Sequence, residues 1–148
     1  MARIRRIVHP SDFSSASGPA LRKALELAKQ NSGTLLIVHV LPTLPIVGDA
    51  YIAPNVYDEM LRAQRAQGEK GIERLVKRAR AAGVKATGTV IENGSVADQI
   101  ARYAKRQKAD LILMGTHGHG ILARALLGSV AERVMSRAPC PVMVVRHK

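Results

Sequence analysis

The sequence predicts an α/β fold, a three-layer sandwich built on a five-stranded parallel sheet. Three observations predict it. Short apolar runs alternate with longer segments at helical spacing from one end of the chain to the other. The middle runs are continuously apolar, as in strands covered on both faces by helices. No repeat, low-complexity tract or linker divides the 148 residues, so one domain over 1–148 is expected.

The first strand is expected over 4–9, carrying Ile4, Ile7 and Val8 and stopping at Pro10, which has no N–H to give a ladder. A helix over 19–29 follows, its Leu21, Ala24, Leu25 and Ala28 spaced by three and four, with Asn31, Ser32 and Gly33 as the left-handed stop. Residues 34–40 form a central strand, and 41–55, with three prolines and a glycine, a long loop suited to a lid or a partner surface. Leu61, Ile72, Leu75, Val76 and Ala79 keep helical spacing over 56–82, and Gly83 ends that helix. Gly68 and Gly71 lie inside it at a cost of about 1 kcal/mol each relative to alanine, and permit a bend or a close packing contact.

Residues 84–91 alternate through Val84, Ala86, Gly88 and Val90, the pattern of a sheet edge with one wetter face. Ser95 is the expected cap of a helix over 96–107 with Ile100 and Ala104 inward. A fourth strand over 111–114 leads into a glycine-rich segment reaching Ser129, then a helix to Arg137 and a fifth strand over 142–145 after Pro141. Strict alternation implies right-handed crossovers.

Composition narrows the function classes. The single cysteine, Cys140, excludes an internal disulfide and a zinc–thiolate cluster, which fits a reducing compartment, and the cytoplasm is the expected location. The apolar run after Arg3, Arg5 and Arg6 is too short for a signal peptide, and none reaches the length of a membrane span. A net charge of +12 attracts anions. Many of these charges fall at helical spacing over 62–80 and 102–108 and read as solvated helix faces. The dispersed Phe13, Tyr51, Tyr57 and Tyr103 form no stacking platform, which argues against nucleic acid.

The chemistry is concentrated in Gly115-Thr-His-Gly118, nine further residues, then Gly128-Ser129 at the mouth of the last helix. A loop leaving a buried strand and entering a helix N-terminus presents unpaired backbone N–H groups, and glycine lets phosphate oxygens approach them. The Ser129 hydroxyl adds a donor. The pattern is neither the first-turn dinucleotide fingerprint nor a P-loop, since no Gly-Lys-Ser/Thr follows.

With these residues the sequence closely resembles the universal stress protein family, whose nucleotide-binding members carry Gly, two residues, Gly, nine residues, then Gly-Ser or Gly-Thr. Gly115, Gly118, Gly128 and Ser129 match each fixed position. The resemblance spans essentially the whole chain, through Pro10-Ser-Asp-Phe-Ser14, His39-Val40, Asp110-Leu-Ile-Leu-Met-Gly115 and Ala138-Pro-Cys-Pro-Val-Met-Val-Val145. It implies the adenine nucleotide alpha hydrolase-like fold, strand order 3-2-1-4-5, with ATP across the carboxyl ends of strands one and four. The rule that open α/β sheets bind ligands where strand order reverses points to the same place.

Carried over residue by residue, the resemblance implies that Pro10 and Asp12 line the adenine and ribose region, with Asp12 accepting hydrogen bonds, and that Val40 packs on the base. Met114 and Gly115 would lie beneath the nucleotide. Gly118 would admit the phosphates, Gly128, Ser129 and Val130 would donate to them, and His117 and His119 lie in the loop within reach of them. Magnesium would accompany ATP through its phosphates, for no carboxylate cage is visible.

Three rival readings remain open. An enzyme assembled from His9, Asp12, His117 and Ser129 lacks the Gly-x-Ser-x-Gly elbow, which leaves at most slow ATP hydrolysis. A metal site would need His117 and His119 with His9 or His39. An interaction protein that binds no nucleotide is the third, against the intact glycine pattern. The apolar run Val142-Met143-Val144-Val145 is an edge that needs covering. The resemblance implies its antiparallel two-fold pairing in a homodimer. The protein partner is left unidentified.

Overall fold

A computed structural model describes residues 3–43, 51–116 and 127–147. The chain runs β1 (Arg6–Pro10), a 3-10 turn (Ser15–Ser17), α1 (Gly18–Asn31), β2 (Thr34–Val40), α2 (Pro54–Ala81), β3 (Lys85–Ile91), α3 (Val96–Arg106), β4 (Leu111–Gly115), α4 (Ser129–Arg137) and β5 (Val142–Val145). The five strands form one sheet in the order β3-β2-β1-β4-β5, and every neighbouring pair is parallel. The expected fold class, strand order and edge position of β3 are all observed.

Each element follows from its residues, and the differences lie at its ends. β1 starts at Arg6 because the Asp110 carboxylate accepts the N–H of both Arg5 and Arg6 (2.8 and 2.9 Å). Pro10 closes the strand from inside, still in register with Val38, and the next N–H, that of Ser11, donates to the Val38 carbonyl (2.9 Å). α2 begins at Pro54, two residues before the first apolar position that marked it, since proline's fixed φ suits the first helical turn. α1 ends on Ser32 at φ 51°, while Gly33 is required for space: a Cβ there would lie 2.9 Å from the Arg5 carbonyl oxygen. Ser95 does precede α3, but its side chain makes no capping bond; Gln99 turns back to the Asn93 carbonyl instead.

Two cores flank the sheet. Ile7, Leu35, Ile37, Leu111 and Leu113 face α1 and α2, whose Ala20, Leu21, Ala24, Ile72, Leu75 and Ala79 complete that layer. Val8, Leu36, Val38, Ile112 and Met114 face Ala97, Ile100, Tyr103 and Ala104 of α3 and Ala131 and Val134 of α4. Consecutive strand residues thus serve opposite cores, which is why the central runs do not alternate in hydropathy. The α2 glycines serve close packing: a Cβ at Gly71 would lie 2.5 Å from the Phe13 ring, and one at Gly68 3.1 Å from His39 Cδ2. Among the described residues no helix is long and apolar enough to cross a membrane.

Candidate functional site

β1 pairs along its length with β2 but with β4 only at Ile7↔Leu111 and Val8↔Ile112. Past those two pairs the strands part: the odd residues of β1 face β2, from the Arg5 carbonyl to the Ser11 N–H, and Pro10, the next residue facing β4, has no N–H to donate. The parting opens a cavity of about 600 Å³ at the carboxyl ends of β1, β2 and β4, beside the starts of α1 and α4. This is where the order reverses, since β1 leads through α1 to one side and β4 lies on the other.

Eight of the ten expected binding residues line that one cavity: Pro10 and Asp12 after β1, Val40 at the end of β2, Met114 and Gly115 closing β4, and Gly128, Ser129 and Val130 opening α4. His117 and Gly118 lie outside the described residues, as does His119. The floor is apolar, from Val38, Val40, Ile100 and Met114. At one rim α4 begins without a side-chain cap on Gly128. Its first intrahelical bond runs from Glu132 N–H to the Gly128 carbonyl (3.0 Å). The N–H groups ahead of it in the first turn have no intrahelical acceptor, and the helix dipole adds partial positive charge there. Asp12 is oriented by its own turn, its Oδ1 accepting from Ser14 N–H (2.9 Å) and Ser14 Oγ (2.5 Å).

Sequence reasoning missed one wall. Gln64, Gln67 and Gly68 of α2 line the cavity, as do Phe13 and His39. The available signal was the pair of glycines inside a helix, which marks close approach without saying to what.

His9, considered for catalysis and for metal binding, is buried and is not among the residues lining the cavity. It is 0 % exposed, and its Nδ1 lies 2.9 Å from the Leu113 carbonyl oxygen. A carbonyl only accepts, so Nδ1 carries the hydrogen, and Nε2, which has no hydrogen-bond partner among the described residues, is the unprotonated nitrogen of the neutral ring. Burial pushes its pKa down, against the Leu113 bond and the Asp12 charge, which raise it. The imidazole stitches β1 to β4 just past the last backbone pair of those two strands. Among the described residues no group of three or more His, Cys, Asp or Glu side chains could hold a metal ion.

An open parallel sheet with helices on both faces and a cavity at its switch point defines the doubly wound α/β class. The Universal stress protein family model matches residues 3–146, and the chain belongs to that family. A universal stress protein of Methanocaldococcus jannaschii is 37% identical over 142 residues, 96% of this chain and 82% of that protein. The YxiE universal stress protein of Bacillus subtilis is 34% identical over 140 residues, 91% of this chain and 94% of that one. The solved structure of a Lactobacillus plantarum universal stress protein superimposes with a TM-score of 0.82 at 27% identity, covering 99% of this chain and 100% of that one. The same fold, at TM-score 0.68, recurs in universal stress proteins solved with cAMP (23% identical), with dAMP from Archaeoglobus fulgidus (22%) and with AMP from Arabidopsis thaliana (21%).

Proposed function

We propose that the chain binds an adenine nucleotide, ATP with magnesium, in the β1/β4 crevice and works as a nucleotide-dependent regulator whose affinity for a protein partner changes with the nucleotide. One observation carries the reading: expected binding residues from four separate stretches of sequence meet around one cavity with an apolar floor and a helix N-terminus that has no side-chain cap. The floor suits a base and the N-terminus a phosphate. Asp12 serves the hydroxyl-bearing part of the ligand, since a carboxylate accepts hydrogen bonds and repels phosphate. Magnesium would be held through the phosphates and water. Family members with this fold that hold AMP, cAMP or dAMP support an adenine ligand.

The regulator acts as a homodimer, two copies pairing through β5. The two sheet edges differ in a way that favours this. At β3 the Arg80 guanidinium donates to the Ala86 carbonyl (3.0 Å), covering part of that edge. All four residues of β5, Val142 to Val145, are half-buried, apolar and at the outer position of the sheet.

Titration calorimetry with magnesium ATP, ADP, AMP and cAMP tests the nucleotide reading, against a Val130→Asp variant. Val130 is 37% exposed in the first turn of α4, where an acidic residue suits the helix dipole but opposes phosphate. Expected are binding by the wild type and roughly tenfold or greater weakening of ATP in the variant with the melting temperature maintained. Failure of all four nucleotides to bind the wild type overturns the proposal.

A further inference from the structure

Phe13 is an aromatic residue held in the left-handed region, at φ 65°, beside the cavity. Bulky side chains avoid that conformation unless their surroundings impose it. What imposes it is a stack of rings on a helix. The Phe13 ring lies 4.4 Å from that of His39, tilted by 35°. Both rest on α2 where it has no side chains: an added Cβ at Gly71 would come within 2.7 Å of three Phe13 ring carbons, and one at Gly68 would meet His39 Cδ2 at 3.1 Å.

The stack is tied to the backbone on either side of Asp12. His39 Nδ1 donates to the Ser11 carbonyl (2.7 Å), and Phe13 N–H donates to Ser11 Oγ (3.1 Å). Asp12 therefore sits between two residues that β2 and α2 immobilise, with its Oδ1 fixed by Ser14. We propose that Phe13 and His39 are positioning residues, clamped on Gly68 and Gly71, that hold the Asp12 carboxylate for the vicinal hydroxyls of a ribose and so set discrimination between ribose and hydroxyl-free sugars. This rests on the nucleotide reading above.

The test is the ratio of affinities for AMP and its 2′,3′-dideoxy analogue, by calorimetry, in the wild type and in His39→Ala, His39→Asn, Phe13→Leu and Gly71→Ala. The wild type is expected to prefer AMP by roughly tenfold, the worth of a charge-assisted hydrogen bond. His39→Ala and Phe13→Leu bring the ratio close to one by weakening AMP far more than the dideoxy analogue. His39→Asn, which keeps a donor near the Nδ1 position, recovers part of it. Gly71→Ala, a favourable change for the helix itself, displaces the Phe13 ring and lowers the ratio in a protein that still folds. A ratio unchanged in the folded variants, or a fall in melting temperature alone, overturns the positioning role while leaving the nucleotide reading intact. A wild type that binds neither compound overturns the positioning role, and one that also binds none of ATP, ADP and cAMP overturns both.

Discussion

Gly88 sits in β3 opposite Ile37 of β2, under α2. In a strand, Gly→Ala ordinarily gains about 0.5–1 kcal/mol because the unfolded chain is less flexible. Here an added Cβ falls on Ile72 Cγ2 and 2.8 Å from Val76 Cγ2, both side chains of the buried α2 face. Overpacking of this kind costs roughly 1–3 kcal/mol. The two effects together predict that Gly88→Ala destabilises by up to about 2.5 kcal/mol, or up to about 10 °C in Tm for a chain of this size. Urea unfolding followed by circular dichroism should show a lower midpoint with an unchanged slope. Ile72→Ala removes the obstructing methyl, and in that background the cost of Gly88→Ala should shrink by about 1 kcal/mol. A Gly88→Ala protein more stable than the wild type, or strictly additive effects of the two changes, would refute the reasoning that α2 presses on this strand.

Three further outcomes are expected. The folded-state pKa of His9 lies below its unfolded value of 6.5, so the unfolded chain binds more protons between the two and stability falls as pH drops through that window. His9→Asn should flatten the unfolding free energy between pH 7.5 and 5.5, and equal slopes in the two proteins would contradict it. Burial first, and the Asp110 charge second, raise the Cys140 thiol above its ordinary pKa, so labelling by a disulfide reagent at pH 7 should be slower than for a small free thiol and rise steeply only at alkaline pH. Light scattering at micromolar concentration is expected to give a dimer for the wild type and a monomer for Val144→Asp, and a wild type that is itself monomeric refutes pairing through β5.

Much of this protein can be read from its residues in order. Hydropathy period and the placement of Pro10, Gly83 and Pro141 mark where strands and helices fall. The continuous run Leu35-Leu-Ile-Val38 already requires a core on both faces, because alternate strand residues point to opposite sides. The glycine spacing from Gly115 to Ser129 singles out the end of β4 and the start of α4, and both border the cavity. Element ends were less legible, since they depend on side chains far away in sequence: Asp110 decides where β1 starts, 104 residues from Arg6.

Only the tertiary structure decided which residues share a space. It set His9 apart from the crevice, as an interior link from β1 to the Leu113 carbonyl, although His9 directly precedes Pro10 at the rim. It brought Gln64, Gln67 and Gly68 of α2 to the same cavity as Pro10 and Ser129. It also gave Gly68 and Gly71 a purpose, since a glycine pair in a helix states that something approaches closely and packing alone names the Phe13 and His39 rings. Local sequence fixes periodicity because neighbouring side chains determine which face is apolar. Which faces then meet is a property of the whole chain, settled by how β1 divides its pairing between β2 and β4.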